Sequence, residues 1–190
     1  MGISAVTGPD CEPVSLAHAR EHCRIDDSDN DGLLAGYILA ARRYAENYTR
    51  RAFITQTWDA TFDSDWPRER GMPAIWLPLP PLASVTSVTY VDDGGQTQTL
   101  PSDQYRVLTD GTFGRIVPAD GVSWPTVRRQ DNAITVRFVA GWDAAAVPDE
   151  IRTAILLHTE LLFDRDPAMQ PSLESSRDAL LDHYRVVRVL

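Results

Sequence analysis

The sequence contains no lysine, and all 18 of its basic residues are arginine. We attach no function to that absence, but the charge balance is informative. The 190 residues carry 27 aspartates and glutamates, so the formal net charge is −9. Tight, nonspecific binding of duplex DNA requires basic residues that displace counterions from the phosphates. The charge therefore argues against a protein that binds DNA tightly, although it is compatible with one past which DNA slides.

Cysteine is rare, and long apolar runs do not occur. Cys11 and Cys23 are the only cysteines, and residues 1–10 show neither a charged leader nor an apolar core segment. We therefore expect synthesis in a reducing cytoplasm, with both thiols free. No apolar run approaches the roughly 20 residues that a membrane helix needs, so we expect no membrane contact.

Sequence motifs of nucleophilic and phosphate chemistry are also missing. The chain has no G-x-S-x-G, no glycine-rich phosphate loop and no C-x-x-C pair. His158 falls on an apolar helix face, where a core or interface role is expected rather than that of a base. We predict no catalytic residue, no bound metal and no cofactor, and hence a protein that is not an enzyme.

The clearest structural prediction is a long amphipathic helix from Asp31 to Arg51. Its polar side is predicted to carry Arg42, Arg43, Glu46, Asn47 and Arg50. Apolar residues at steps of four and three form one stripe, Leu34, Ile38, Ala41, Ala45 and Tyr48, and a second stripe beside it, Leu33, Tyr37, Ala40 and Tyr44. A face of this width is usually buried against other helices of the same domain, so we expect both stripes to be covered.

Helical patterns lie at both ends of the chain, and strand patterns lie between them. Ser15 is a good N-cap for a short helix from Leu16 to about Cys23. Two further helices are predicted from Pro148 to about Asp166 and from about Ser172 to Tyr184. Two-residue alternation predicts strands at 57–62 and 134–140, and two shorter strands are expected near 105–108 and 115–117. Residues 85–91 are rich in β-branched side chains, and a turn at 92–95 (DDGG) is predicted to return this strand as a hairpin to 96–100.

These patterns predict an α+β fold. A helical bundle is formed by the N- and C-terminal helices, residues 1–54 and 147–190, and a β-rich region of residues 55–146 is inserted between them.

Two motifs suggest metal binding and are weighed against simpler interpretations. His18, Glu21 and His22 match the H-x-x-E-H pattern of some zinc peptidases, in which histidines four residues apart share a helix face. The helix is short, and no second helix offers an obvious third ligand, so a solvated helix face is favoured. The stretch from Asp27 to Gly32 matches the start of a calcium loop, but the twelfth position is Ile38 instead of glutamate. An acidic start to the long helix is the simpler interpretation.

The tryptophans leave two interpretations open. All five lie in or beside the β-rich region: Trp58, Trp66, Trp76, Trp124 and Trp142. They fit a hydrophobic core, and so many large aromatics also fit a protein–protein surface.

Six segments, in this order and spacing, resemble tailed-phage head–tail connector (adaptor, or head-completion) proteins. They are residues 13–24 (PVSLAHAREHCR), 33–42 (LLAGYILAAR), 48–58 (YTRRAFITQTW), 77–85 (LPLPPLASV), 138–142 (FVAGW) and 147–157 (VPDEIRTAILL). Similar proteins occur in phage-derived gene transfer agents, and the sequence does not separate the two kinds of particle.

The resemblance implies a structural protein of the virion at the head–tail junction, synthesised in the host bacterial cytoplasm. It implies a homo-oligomeric ring of about twelve copies, built by the helical bundle, beneath the portal protein ring. The β-rich region would face the next tail or stopper component, and DNA would pass through the ring without specific binding. An acidic channel wall would repel phosphate during that passage.

The end of the sequence is the predicted portal-binding segment. It comprises Tyr184, Arg185, Val186, Val187, Arg188, Val189 and Leu190. The segment carries apolar residues that a monomer has little reason to expose. A last strand or helical turn folded back on the bundle is the alternative. Two other functions remain as alternatives to the adaptor: a metal-dependent hydrolase using His18, Glu21 and His22, and a DNA-packaging or DNA-binding factor.

Overall fold

The computed structural model describes residues 1–69, 71–164 and 168–186. The chain divides into two compact units. Met1–Pro9 and Thr55–Gly141 form one, which we call the β unit, and Asp10–Ile54 with Trp142–Leu190 form the other, which we call the helical unit.

In the part of the chain that the structure describes, the helical unit contains four α-helices. They are α1 (Leu16–His22), α2 (Asp31–Thr49), α3 (Asp149–Phe163) and α4 (Gln170–Asp182). The hydroxyl oxygen of Ser15 accepts a hydrogen bond from the backbone N–H of His18 (3.2 Å), so the predicted N-cap of α1 is confirmed. Helix α2 ends before Arg50, which adopts a left-handed conformation with φ of 57°.

The core of the helical unit is one hydrophobic cluster to which all four helices contribute. From α2 it takes Leu34, Ile38, Ala41 and Ala45, so four members of the first predicted stripe are buried and the fifth, Tyr48, packs at the edge. Ile151 and Ile155 of α3 and Leu181 of α4 are fully buried against them. The 3.6-residue period of α2 therefore predicted its core face correctly.

The strands described in the β unit fall into three sheets. The largest sheet has the order β1-β2-β10-β6-β7, and all neighbouring strands in it are antiparallel. Its strands are β1 (Gly2–Thr7), β2 (Gln56–Phe62), β10 (Ile134–Ala140), β6 (Leu82–Val91) and β7 (Thr97–Thr99). A second sheet has the order β5 (Ile75–Trp76), β9 (Arg115–Pro118) and β8 (Tyr105–Leu108). The third pairs β3 (Arg68–Glu69) with β4 (Met72–Pro73).

The alternation predicted for the last strand is observed in β10. Ile134, Val136, Phe138 and Ala140 are all buried, while the residues between them are not. The predicted turn after β6 is also observed. The Asp92 carboxylate accepts the backbone N–H of Gln96 (2.9 Å), and Gly95 has the positive φ that this turn requires.

The first residues of the chain differ from the prediction. The predicted boundaries place the first residues in the helical bundle, yet Gly2–Thr7 forms an edge strand along β2. The structural units therefore run 1–9 with 55–141 and 10–54 with 142–190, whereas the predicted boundaries were 55–146 and 1–54 with 147–190. Strand β1 lacked a sequence signal because all six of its residues are exposed, so no face of it needs to be apolar.

The predicted α+β class is confirmed, with α1 and α2 before most of the strands and α3 and α4 after them. None of the helices in the described ranges has the length and apolar character that a membrane crossing requires. Cys11 and Cys23 are both free, as predicted.

Candidate interaction surfaces

The two histidines of the zinc-peptidase-like motif have different surroundings. His18 is exposed on α1, while the Nε2 of His22 lies 2.9 Å from the Oε2 of Glu160 on α3. Within the described ranges, no group of three or more His, Cys, Asp or Glu side chains could hold a metal ion. His22 thus joins α1 to α3, and the geometry does not favour the hydrolase alternative.

Cys23 lies beside this pair and has the electrostatics of an unreactive thiol. Burial, and then the carboxylates of Glu160 and Asp164, raise the pKa of Cys23 to about 11. The thiolate is the form that attacks substrates and binds metals. At neutral pH Cys23 therefore stays protonated, and it contributes packing at the edge of the core.

The acidic stretch before α2 forms local structure. The Oδ1 of Asp27 accepts the backbone N–H of Asp29 (3.1 Å), and Asp31 pairs with the Nε of Arg20 (3.1 Å). Ile38, at the twelfth position of the calcium-loop pattern, is only 3% exposed in the core. These contacts agree with the interpretation as an acidic start to α2.

The polar side predicted for α2 is wrong at one residue, Arg42, which is only 4% exposed. Its Nε and Nη2 donate to the two carboxylate oxygens of Glu12 (2.6 and 3.2 Å), and its Nη1 donates to Glu46 (2.6 Å). The other oxygen of Glu46 accepts the backbone N–H of Phe53 (2.8 Å). Arg42 therefore holds the segments before α1 and after α2 against the helix, and these contacts compensate the desolvation of its charge.

A second cluster joins α2, α3 and α4. The ring of His158 stacks on Tyr44, with centroids 4.4 Å apart, and the Nη1 of Arg177 donates to its Nδ1 (2.7 Å). Arg177 also lies over the Tyr44 ring and donates to Asp178. Burial, followed by the charge of Arg177, lowers the pKa of His158 to about 4. His158 is thus a neutral packing residue at neutral pH, in line with the predicted core or interface role.

The second stripe of α2 differs from the prediction that it would be covered. Leu33 is 49% exposed, Ala40 is exposed, and Tyr37 is half-buried. A Cβ atom added at Gly36, which lies on the same side, would meet nothing within 4 Å. We call this surface, Leu33, Gly36, Tyr37 and Ala40, the outer face of α2. Residues 32–41 are uncharged on every side of the helix, and this pattern is typical of a buried helix. In a single chain, however, half of the residues in this segment are exposed.

The predicted portal-binding segment is partly held by its own unit. Arg51 donates to the backbone oxygen of Tyr184 (2.6 Å), Arg185 lies over the Tyr48 ring, and the backbone N–H of Val186 donates to Thr49 (2.9 Å). The Val186 side chain is only 7% exposed. Residues 184–186 therefore follow the folded-back alternative, and the other four residues of the segment, 187–190, lie outside the described residues.

All five tryptophans are half-buried. Trp66 stacks on Trp124 with centroids 4.6 Å apart and donates its Nε1–H to the backbone oxygen of Pro125 (2.7 Å). Trp76 packs against Phe113. Trp142 packs against Phe53 in the helical unit. Such partial exposure leaves both interpretations, core and protein–protein surface, open for the β unit.

Comparison with known proteins supplies the biological context. Residues 13–90 match the family of phage gp6-like head–tail connector proteins. No curated protein sequence is significantly similar to the chain.

Solved structures match the chain over its entire length. A chain from the neck of an empty GTA particle, computed with C6 symmetry, has a TM-score of 0.80 at 25% identity. A chain from the neck of a native GTA particle, computed with C12 symmetry, has a TM-score of 0.78 at 26% identity. A chain from the virion of a native gene transfer agent (GTA) particle shares the fold at 24% identity, with a TM-score of 0.79. Each match covers 100% of this chain and 98% of the other. The resemblance to head–tail connector proteins is confirmed.

Proposed function

We propose that this relative of the phage head–tail connector proteins is a structural head–tail adaptor. It forms a ring of about twelve copies in the neck of a phage or gene transfer agent particle, beneath the portal protein ring. The family match over residues 13–90 and the neck chains with the same fold support this role. C6 and C12 symmetry in those necks supports a cyclic assembly.

The observation that carries the ring is the uncovered outer face of α2. A helix that is uncharged all round over residues 32–41 is expected to be buried, yet Leu33 is 49% exposed. Monomeric proteins rarely leave contiguous apolar surface uncovered without a partner. Cyclic assembly covers this surface without any change in the fold of the chain.

The acidic charge of the protein is compatible with the passage of DNA through the ring that the family resemblance implies. With a net charge of −9, the surface repels phosphates over distances set by the ionic strength. DNA then moves past the ring without specific binding. The β unit faces the next tail or stopper component in this arrangement.

Portal binding is assigned to the end of the chain, with one refinement. Because Val186 is buried in the helical unit, we place the portal contact in residues 187–190 and give residues 184–186 the role of an anchor. A deletion that tests portal binding without loosening the helical unit should therefore start at Val187.

The experiment compares the full chain with two variants, each mixed with the cognate portal ring. One variant lacks residues 187–190, and the matched control replaces them with Gly-Ser-Gly-Ser, which keeps the length and removes the apolar side chains. Native mass should show portal plus about a dozen copies for the full chain and no complex for either variant. Circular dichroism should show unchanged helical content.

The outcomes separate the competing functions. Undiminished portal binding by both variants contradicts the role of residues 187–190. Failure of the unmodified chain to join the portal contradicts the adaptor. Stoichiometric zinc in the purified protein would favour the hydrolase, and salt-sensitive binding of duplex DNA would favour the DNA-binding alternative.

A further inference from the structure

The outer face of α2 continues along the helix into two exposed arginines. Arg43 lies within α2 and Arg50 directly follows its last residue, so the two are about 10 Å apart along the helix axis. Among the described residues, neither side chain has a hydrogen-bond or ion-pair partner. Surface cations of this kind are usually solvated, but here they border an uncovered apolar face. The exposed side of α2 therefore presents apolar surface at its N-terminal half and positive charge towards its C-terminal end.

Helix α4 carries the opposite charge on its exposed surface. Glu174 and Asp182 are exposed and eight residues apart, about 12 Å along the axis. Asp182 accepts the hydroxyl of Tyr48 (2.7 Å), and in the described part of the chain neither carboxylate has a cationic partner. Asp178, between them, differs because Arg177 already donates to it (2.8 Å).

The exposed side of α4 also permits the close approach of another helix. Between the two acids it presents only small exposed side chains, Ser175, Ser176 and Ala179. Small residues allow another helix to approach closely, here the segment of α2 between Arg43 and Arg50.

We propose that the C-terminal end of α2 in one copy packs against the exposed side of α4 in the next copy of this chain, with Arg43 and Arg50 facing Glu174 and Asp182. This inference rests on the proposed ring. The contact uses two different surfaces, so it is heterologous and repeats from copy to copy until a ring closes. A self-complementary contact between two α2 faces would stop at a dimer.

The spacing of the charges sets the register between the copies. Two arginines about 10 Å apart match two acids about 12 Å apart within the reach of an arginine side chain. Opposite charges at the rim of an apolar contact add specificity and speed association, whereas like charges at the same places oppose it. The charges select the neighbour and its alignment, and the outer face of α2 lies beyond them along the helix.

A charge-swap experiment tests the pairing with full-length protein and the cognate portal. One variant carries Arg43→Glu and Arg50→Glu, a second carries Glu174→Arg and Asp182→Arg, and a third combines all four. The control is Arg129→Glu, an exposed arginine of the β unit outside the proposed contact. Sedimentation and native mass give the concentration at which half of the chains are in multi-copy complexes, and circular dichroism confirms folding.

Each two-site variant should raise the half-assembly concentration at least about tenfold, because attraction is replaced by repulsion at both positions. The four-site variant should return it to within about threefold of the unmodified chain, which no folding defect would do. Arg129→Glu should have no effect. Assembly should also weaken with added salt.

Two results overturn the inference but do not contradict the proposed ring. The first is that the two-site variants assemble like the unmodified chain, and the second is that the four-site variant assembles as poorly as the two-site variants. A complex that stops at two copies also overturns it, in favour of a self-complementary contact. If the unmodified chain forms no multi-copy complex even with the portal, the proposed function fails instead.

Discussion

Leu33 and Leu34 are adjacent in the chain, yet truncating them to alanine should affect different properties of the protein. Leu34 is fully buried in the core of the helical unit, whereas Leu33 is 49% exposed on the outer face of α2. Leu34→Ala should destabilise the fold, and Leu33→Ala should weaken assembly. The two substitutions remove the same atoms from consecutive positions of one helix, so each is the control for the other.

The expected magnitudes follow from burial. Removing a fully buried leucine side chain loses its transfer free energy and leaves a cavity, so Leu34→Ala should lower the free energy of unfolding by about 3 kcal/mol. Half of Leu33 is already in contact with water in the single chain, so Leu33→Ala should lower it by about 1 kcal/mol at most. Covering the remaining surface of Leu33 in a ring is worth about 1 kcal/mol per contact, which is about a fivefold change in affinity between neighbours.

Urea unfolding followed by far-UV circular dichroism measures the stability of the fold, and native mass with the portal measures assembly. Leu34→Ala should unfold at clearly lower urea, and it should assemble normally where it is folded. Leu33→Ala should unfold close to the unmodified chain and require higher protein concentration to assemble. If Leu33→Ala destabilises the chain as much as Leu34→Ala, the second stripe of α2 is covered within its own unit, and the argument for the ring contact is refuted.

Two further predictions concern the buried polar clusters of the helical unit. Arg42→Met leaves the carboxylate of Glu12 without its partner, so it should lower the free energy of unfolding, measured by chemical denaturation, by about 3 kcal/mol. The control Arg43→Met should change the free energy of unfolding by less than about 0.5 kcal/mol. Equal effects of the two substitutions would contradict the buried network. The pKa of His158 is about 4 in the folded chain and 6.5 in its ordinary state, so its contribution to stability is complete above about pH 6.5 and is lost as the pH falls through 4. His158→Asn keeps an acceptor for Arg177 but does not titrate. As the pH falls from 6.5 to 4, the variant should therefore lose less of its free energy of unfolding than the unmodified chain. If the free energy of unfolding falls in parallel for both proteins, His158 is not the group that causes the loss.

Much of the fold was predictable because its signals are local. The apolar period of α2, the N-cap of α1, the alternation of β10 and the turn at Asp92 each depend on residues within a few positions of one another. The four helices begin and end within about three residues of the predicted bounds. Strand β1 is the counterexample, because its pairing with β2 depends on residues at least 50 positions away and leaves no pattern in an exposed edge strand.

The candidate surfaces were predictable only in part. The sequence showed two apolar stripes on α2, but which of them is covered depends on what the rest of the helical unit can reach. The same is true of Val186, whose N–H donates to Thr49, and of Arg42, whose burial requires Glu12 from 30 positions earlier. No periodicity argument finds such partners, because hydrogen-bond satisfaction in the interior is a property of the assembled structure.

The sequence by itself determined the α+β class, the positions of the four helices, the acidic charge and the resemblance to head–tail connector proteins. These features follow from composition, local period and residue order, and none of them requires knowledge of a distant contact. The tertiary structure decided which half of the α2 surface remains uncovered and that Arg42 is buried while Arg43 is exposed. It also decided that residues 184–186 are anchored to their own unit. Burial is the result of packing between elements that are far apart in the chain, so it became defined only when the helices had come together.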